Sequence, residues 1–236
     1  MKEMLFENTP FILSLVTGSF LLGTWIYKRS KFALFHPCII AMVMIIAFLK
    51  IFDIPYSVFA EGSKIIHFML GPAVVALGVV LYDQMEYIRG NVVSMLTAVG
   101  VGSIIGVVSV LIIGKLMGMD AEILSSLEPK SVTTPIAMSL SEANGGIPAL
   151  TAVTVVICGI IGAMIGPKLL EIIGIKSKVA RGLSIGAAAH GLGTAKAMEI
   201  GAIEGAISGL SIGLMGIMTS IAIPLVHLIG SYLNLM

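Results

Sequence analysis

Six long apolar runs, and two interrupted stretches lying among them, decide what this chain can fold into. A helix needs about 20 mostly apolar residues to cross roughly 30 Å of hydrocarbon. Residues 9–27, 32–49, 65–82, 92–116 and 149–165 meet that need. Residues 205–233 exceed it, and Pro224 within them predicts a kink or a tilted path. A backbone entering lipid must satisfy its N–H and C=O groups internally, so such runs fold as helices. The sequence therefore predicts an all-α, polytopic transmembrane helical bundle, one integral membrane domain over residues 1–236. Residues 120–140 and 181–201 are apolar enough to enter the bilayer but carry Pro, Gly and charge. They are expected to be broken or re-entrant half-helices.

Composition agrees with a lipid-facing surface. The chain is 57% hydrophobic and only 11% charged, against roughly 25% charged in an ordinary soluble domain. Its 27 Gly and 9 Pro suit membrane helices, where neighbours re-satisfy a disturbed backbone. Cys38 and Cys158 lie inside apolar runs, so neither a disulfide framework nor a metal cluster is expected, and no cofactor is implied. A formal net charge of +1 offers no field for nucleic acid. The first ten residues lack a basic segment ahead of a short apolar core, so 9–27 is expected to be a retained helix. Phosphate-binding glycine loops and nucleophile–base pairs are missing from the sequence, which reads as a protein without enzymatic activity.

Basic residues orient the bundle, because cytoplasmic loops carry the excess of Lys and Arg. One cluster is Lys28, Arg29 and Lys31; the other is Lys168, Lys176, Lys178 and Arg181. Placing both in the cytoplasm puts the N-terminus outside and makes 120–140 a hairpin that enters and leaves on the outer side. The expected location is the inner (plasma) membrane, crossed several times. Whether 181–201 crosses or folds back is left open by the sequence. A weak internal echo relates 134–140 to 194–200, sixty positions on, each leading into a long apolar helix. This is the pattern of repeated half-helix and spanning-helix units seen in secondary carriers.

Two motifs carry the polar chemistry. In the first, Thr134 precedes Pro135, a capping residue before a Pro suited to the first helical turn. The N–H groups and positive dipole end of the helix starting there suit a carboxylate, with Lys130, Ser131 and Thr133 adding one cation and hydroxyls. In the second, Gly191 and Gly193 follow His190, allowing the backbone to leave helical geometry, and Thr194 can cap a restarting half-helix. Lys196 and Glu199 stand three apart and can pair on one face. Ionisable groups inside a membrane are functional candidates by default, so His190, Lys196 and Glu199 are candidates for proton coupling or substrate charge. Gly71 and Pro72 can break a third helix. Glu142, Asn144, Gly145 and Gly146 read as a polar turn before the next span.

The segments Pro129-Lys-Ser-Val-Thr-Thr-Pro-Ile-Ala, Gly145-Gly-Ile-Pro-Ala-Leu-Thr-Ala-Val and Ala180-Arg-Gly-Leu-Ser-Ile-Gly-Ala-Ala-Ala-His-Gly-Leu-Gly-Thr-Ala-Lys-Ala closely resemble the LrgB/CidB family. The resemblance covers nearly the whole chain from Phe32 onward. It implies two functions. Bacterial members are described as antiholin-like or holin-like regulators of murein hydrolase activity and autolysis, working with a small LrgA/CidA-type membrane subunit. Other relatives, including the plastidial glycolate/glycerate transporter, move small carboxylates, and there an LrgA-like half is fused ahead of the LrgB-like half.

Together the residues and the resemblance lead to a first expectation of a carrier for small monocarboxylates of the pyruvate, glycolate or glycerate type, coupled to protons. Thr133, Thr134 and the backbone after Pro135 would hold the carboxylate, with Gly191, Gly193 and Thr194 opposite, His190 as the coupling group, and Lys130 or Lys196 as a charge partner. The alternative expectation is the antiholin-like regulator. A homo-oligomer in the lipid bilayer, with a separate LrgA/CidA-like subunit, accompanies either.

Overall fold

The computed structural model describes residues 9–30, 35–69, 72, 75–76, 79, 82–83 and 85–232. Among them the secondary structure is helical throughout, as the apolar runs require. The helices are α1 (Thr9–Ser30), α2 (Pro37–Ile51), α3 (Tyr56–Gly62), α4 (Lys64–Phe68), α5 (Met85–Arg89), α6 (Val92–Leu116), α7 (Ala121–Leu127), α8 (Thr134–Ala143), α9 (Pro148–Ile172), α10 (Lys178–Ile200) and α11 (Ala202–Tyr232). Among the described residues four stretches are long and apolar enough to cross a membrane: Thr9–Ser30, Val92–Leu116, Pro148–Ile172 and Ala202–Gly230.

The differences from the expected spans have local causes. The run at 32–49 becomes a 15-residue helix starting at Pro37, about 22 Å long and short of a full crossing. His36 occupies its N-cap and Pro37 its first turn, because the residue before a proline is held out of helical geometry. The run at 149–165 continues to Ile172 straight through Pro167. Of the run at 65–82 only Lys64–Phe68 is a described helix; Gly71 lies outside the described residues, and Pro72 is a helical position.

By its internal contacts the chain divides into two compact units, Met1–Ala76 and Leu77–Met236. In the first, α1 and α2 run antiparallel. Phe11 faces Phe48 with ring centroids 6.4 Å apart, and Tyr27 faces His36 at 6.0 Å. At the end of α1 the Arg29 guanidinium lies 4.5 Å over the Trp25 ring, a cation–π pair of the kind that settles at a membrane–water boundary.

The second unit is built on α6 and α11, which run parallel. Gly100 faces Met218, the Ser103 hydroxyl lies 3.1 Å from that of Thr219, and Val107 and Leu111 pack with Ala222 and Ile223. A buried hydroxyl pair is a favourable link between membrane helices, worth roughly 0.6 kcal/mol on average. The helices α7 and α8 form a hairpin against this pair. Leu124 on α7 reaches Gly114, Lys130 in the turn reaches Gly106, and Leu140 on α8 returns to the cluster around Val107 and Leu111. The chain thus descends along α6 to about its middle and climbs back, as a re-entrant hairpin must.

The second interrupted stretch also folds back on itself. Within α10 the backbone leaves helical geometry at His190, where φ is 41° and ψ −130°. Residues 178–189 and 191–200 are two arms of about 18 and 15 Å, each near half the hydrocarbon thickness. A Cβ at Gly193 would stand 2.6 Å from the Ile185 carbonyl oxygen, so only glycine lets the arms close. The first arm runs alongside α11, with Gly186 against Ser208 and Ser211. The second returns past α11, with the Thr194 hydroxyl 2.8 Å from Ser208 and Met198 against Gly205.

Candidate functional site

The two hairpins enter from opposite ends of the α6–α11 pair. The first turns at residues 128–133, the second at His190. Between α6, the first turn, the first arm of α10 and α11 lies a cavity of about 290 Å³. That is on the order of ten water volumes and at the small end of the range for small-molecule pockets. Ser131 from the first turn and Ser184 from the α10 arm supply its hydroxyls, while Gly102, Ala187, Ala188 and Met215 complete much of the apolar wall. Small side chains at these positions leave the space open.

The first turn is close to its expected form, one residue displaced. Thr133, not Thr134, is the N-cap of α8, in extended geometry with φ −65° and ψ 147°. Thr134 and Pro135 occupy the first turn, and the cap makes no side-chain hydrogen bond. Helix ends shift by a residue or two whenever adjacent positions can both cap. The Lys130 amine donates to the Gly106 carbonyl at 3.4 Å on α6. Beyond α8, Gly145 takes φ 74°, the left-handed geometry that ends a helix. A Cβ on Gly146 would stand 2.8 Å from the Ser126 nitrogen. The Ser126 hydroxyl accepts from the Ile147 N–H at 2.7 Å, and the Thr151 hydroxyl donates to Ser141 at 2.7 Å, tying the hairpin to the start of α9.

The second half of the expected site is arranged differently. Ser184, Ala187 and Ala188 face Ser131 across the cavity, not Gly191, Gly193 or Thr194. Gly193 is spent on the contact between the two arms, and the Thr194 hydroxyl on Ser208, so neither is free to form the opposite wall or a helix cap. His190 is 7% exposed, and its Nε2–H donates to the Val155 carbonyl at 3.0 Å. Its ring fills the space over Gly159, where a Cβ would stand 2.4 Å from Cε1. This is an anchor for the tip of the hairpin. Lys196 and Glu199 pair with each other at 2.7 Å with side chains 40% and 68% exposed, away from the cavity. Among the described residues no group of His, Cys, Asp and Glu is placed to hold a metal ion.

Sequence reasoning missed one pair altogether. Glu128 closes α7, is 3% exposed, and has the His227 Nε2 of α11 at 2.8 and 2.9 Å from its two oxygens. A lone histidine inside the apolar run 205–233 is the signal that could have found it.

Two opposed hairpins beside a small cavity that carries two hydroxyls, between helices fit to cross a bilayer, define a multi-pass membrane protein built from spanning and broken helices. The LrgB-like family model matches residues 17–229, and the chain belongs to that family. It is 36% identical over 221 residues to the antiholin-like protein LrgB of Bacillus mycoides (strain KBAB4), covering 92% of this chain and 95% of the relative. The antiholin-like LrgB proteins of Bacillus cereus (strain B4264) and Bacillus anthracis (strain CDC 684 / NRRL 3495) match to the same extent. No solved structure matches the chain.

Proposed function

We propose that this chain is an antiholin-like protein of the plasma membrane, restraining murein hydrolase activity and autolysis together with a small LrgA/CidA-type subunit, and without catalysis of its own. The observation that carries this reading is the 36% identity over 92% of the chain to relatives named antiholin-like. The relatives' names thus move the weight to the second of the two expectations drawn from sequence. The test is autolysis of cells from which the chain has been deleted, with and without its small subunit. Faster lysis, reversed by restoring the chain, supports the reading; an unchanged lysis rate sinks it.

A second reading is favoured by a specific observation, the two hairpins with hydroxyls from both elements in one cavity. Half-helices meeting near the bilayer midplane are how secondary carriers bind small ions. In this reading the chain moves a small monocarboxylate, held near Ser131, Ser184 and the start of α8. Uptake of labelled pyruvate, glycolate and glycerate into liposomes of the purified protein tests it. Saturable, competable uptake supports a carrier, and none for any of the three rejects those substrates. The two readings share one geometry, and a homo-oligomer fits both.

A further inference from the structure

Glu128 sits where the first hairpin turns, immediately before Pro129, which is fully buried. Its side chain is 1% exposed, while that of His227 is 29% exposed. A single imidazole nitrogen stands within hydrogen-bond distance of both carboxylate oxygens. The ring therefore lies between the carboxylate and the molecular surface, and it joins the hairpin turn to α11. Two residues further on, the turn reaches α6 through Lys130, and three further on it supplies Ser131 to the cavity.

We propose that Glu128 and His227 form a proton-binding site, and that the proton they hold in common keeps the α7–α8 turn closed against α11. With that proton the pair is neutral as a whole, either as carboxylate and imidazolium or as carboxylic acid and imidazole. Without it a carboxylate remains in a space shielded from water, with the imidazole N–H as its only compensation from the pair. Burying an uncompensated charge is costly, and the cost is relieved when the carboxylate moves toward water. Because Glu128 is part of the turn, the turn moves with it and opens the Ser131 side of the cavity. Proton loss at higher pH therefore opens the site, and proton binding closes it.

Other charged or titratable groups lie on the elements around the turn. They are Lys115 on α6, Asp120 and Glu122 at the start of α7, Lys130 in the turn and Glu142 on α8. On α9 they are Cys158, with Lys168 and Glu171 near the opposite end; on α10 they are Lys178, Arg181, His190, Lys196 and Glu199; and on α11 they are Glu204 near its beginning and Tyr232 at its end. Lys130 is engaged by Gly106, and the group seated on the carboxylate is the His227 imidazole.

The inference deepens the carrier reading, but its test does not depend on transport. The protein carrying Cys38→Ala, Cys158→Ala and Ser131→Cys is placed in liposomes and labelled with a water-soluble maleimide across a range of pH. The same protein with Glu128→Gln serves as reference, so that the ordinary pH dependence of a thiol cancels in the ratio of rates. Glutamine keeps the shape and cannot lose a proton. The ratio should be near one at the acid end of the range and rise about fivefold or more toward the alkaline end. Infrared spectra of the Ser131-intact protein should show one carboxyl band that titrates, is lost in Glu128→Gln, and moves its midpoint in His227→Gln. A flat ratio, or a Glu128 band indifferent to His227, overturns the proposal. A rising ratio without uptake leaves the proton site and removes the carrier, whereas uptake with a flat ratio does the reverse.

Discussion

At the scale of single residues, His190 is the most constrained position in the second hairpin. Its φ of 41° is one that a side-chain-bearing residue adopts only when its surroundings over-determine it, at a cost of order 1–3 kcal/mol. Two contacts hold it there: the bond to the Val155 carbonyl and the packing over Gly159. His190→Ala should destabilise the protein by about 2 kcal/mol through the lost buried hydrogen bond and the emptied space. Gly159→Ala should cost about 2 kcal/mol by overpacking the ring. Because the two changes meet at one place, the double variant should be less destabilised than the sum by about 1 kcal/mol or more. Unfolding in detergent micelles measures all three, and strict additivity would mean that ring and glycine do not touch. The break itself was legible, since a His-Gly-x-Gly segment among apolar helices announces one. Its detail was not: the glycine pattern suggested that Gly191 and Gly193 open the backbone. Gly193 is needed instead because two arms pass too close for any side chain, a distance no single segment reveals.

The elements are held by hydroxyls and small residues, the means available where lipid removes the hydrophobic drive between helices. Gly186 shows how tight this is, since a Cβ there would stand 2.3 Å from the Ser208 backbone oxygen and 2.1 Å from the Ser211 hydroxyl oxygen. Gly186→Ala should push the first arm of α10 off α11 and cost about 3 kcal/mol, read as a lower unfolding midpoint and faster proteolysis. The cavity hydroxyls should behave in the opposite way. Ser131→Ala with Ser184→Ala removes two groups that line open space, so stability should change by no more than about 0.5 kcal/mol. Under the carrier reading the half-saturation constant should rise about tenfold, from the loss of roughly 1.4 kcal/mol of binding. Unchanged uptake kinetics in a folded double variant would take those hydroxyls out of the site. Ser131 could be read from its motif. Ser184 was not singled out because its partner across the cavity is 53 positions away.

On the scale of the whole second unit, the chain makes an inverted pair. α7, α8 and α9 form one hairpin followed by a long helix, and α10 and α11 repeat that order from the other end. The weak echo between 134–140 and 194–200 falls on the returning arm of each hairpin, which is why it sits just ahead of a long helix in both places. Apolar helices repeat a small alphabet, so sequence alone could hint at this symmetry but not orient it. Charge supplies the orientation: Lys168, Lys176, Lys178 and Arg181 gather where α9 ends and α10 begins, and such clusters stay in the cytoplasm. On that rule the mouth of the α7–α8 hairpin is expected to face outward, because α9 carries the chain across between them. In cells expressing the protein without its native cysteines, Asp120→Cys and Asn144→Cys should react with an impermeant maleimide added outside. Ser177→Cys and Glu199→Cys should react only after the membrane is opened. Labelling of all four from outside would mean that the second hairpin's mouth is open to the exterior, and the opposed arrangement would fail. The reverse pattern would keep the arrangement and turn the molecule over, placing the Glu128–His227 end, and with it any proton the pair exchanges, on the cytoplasmic side.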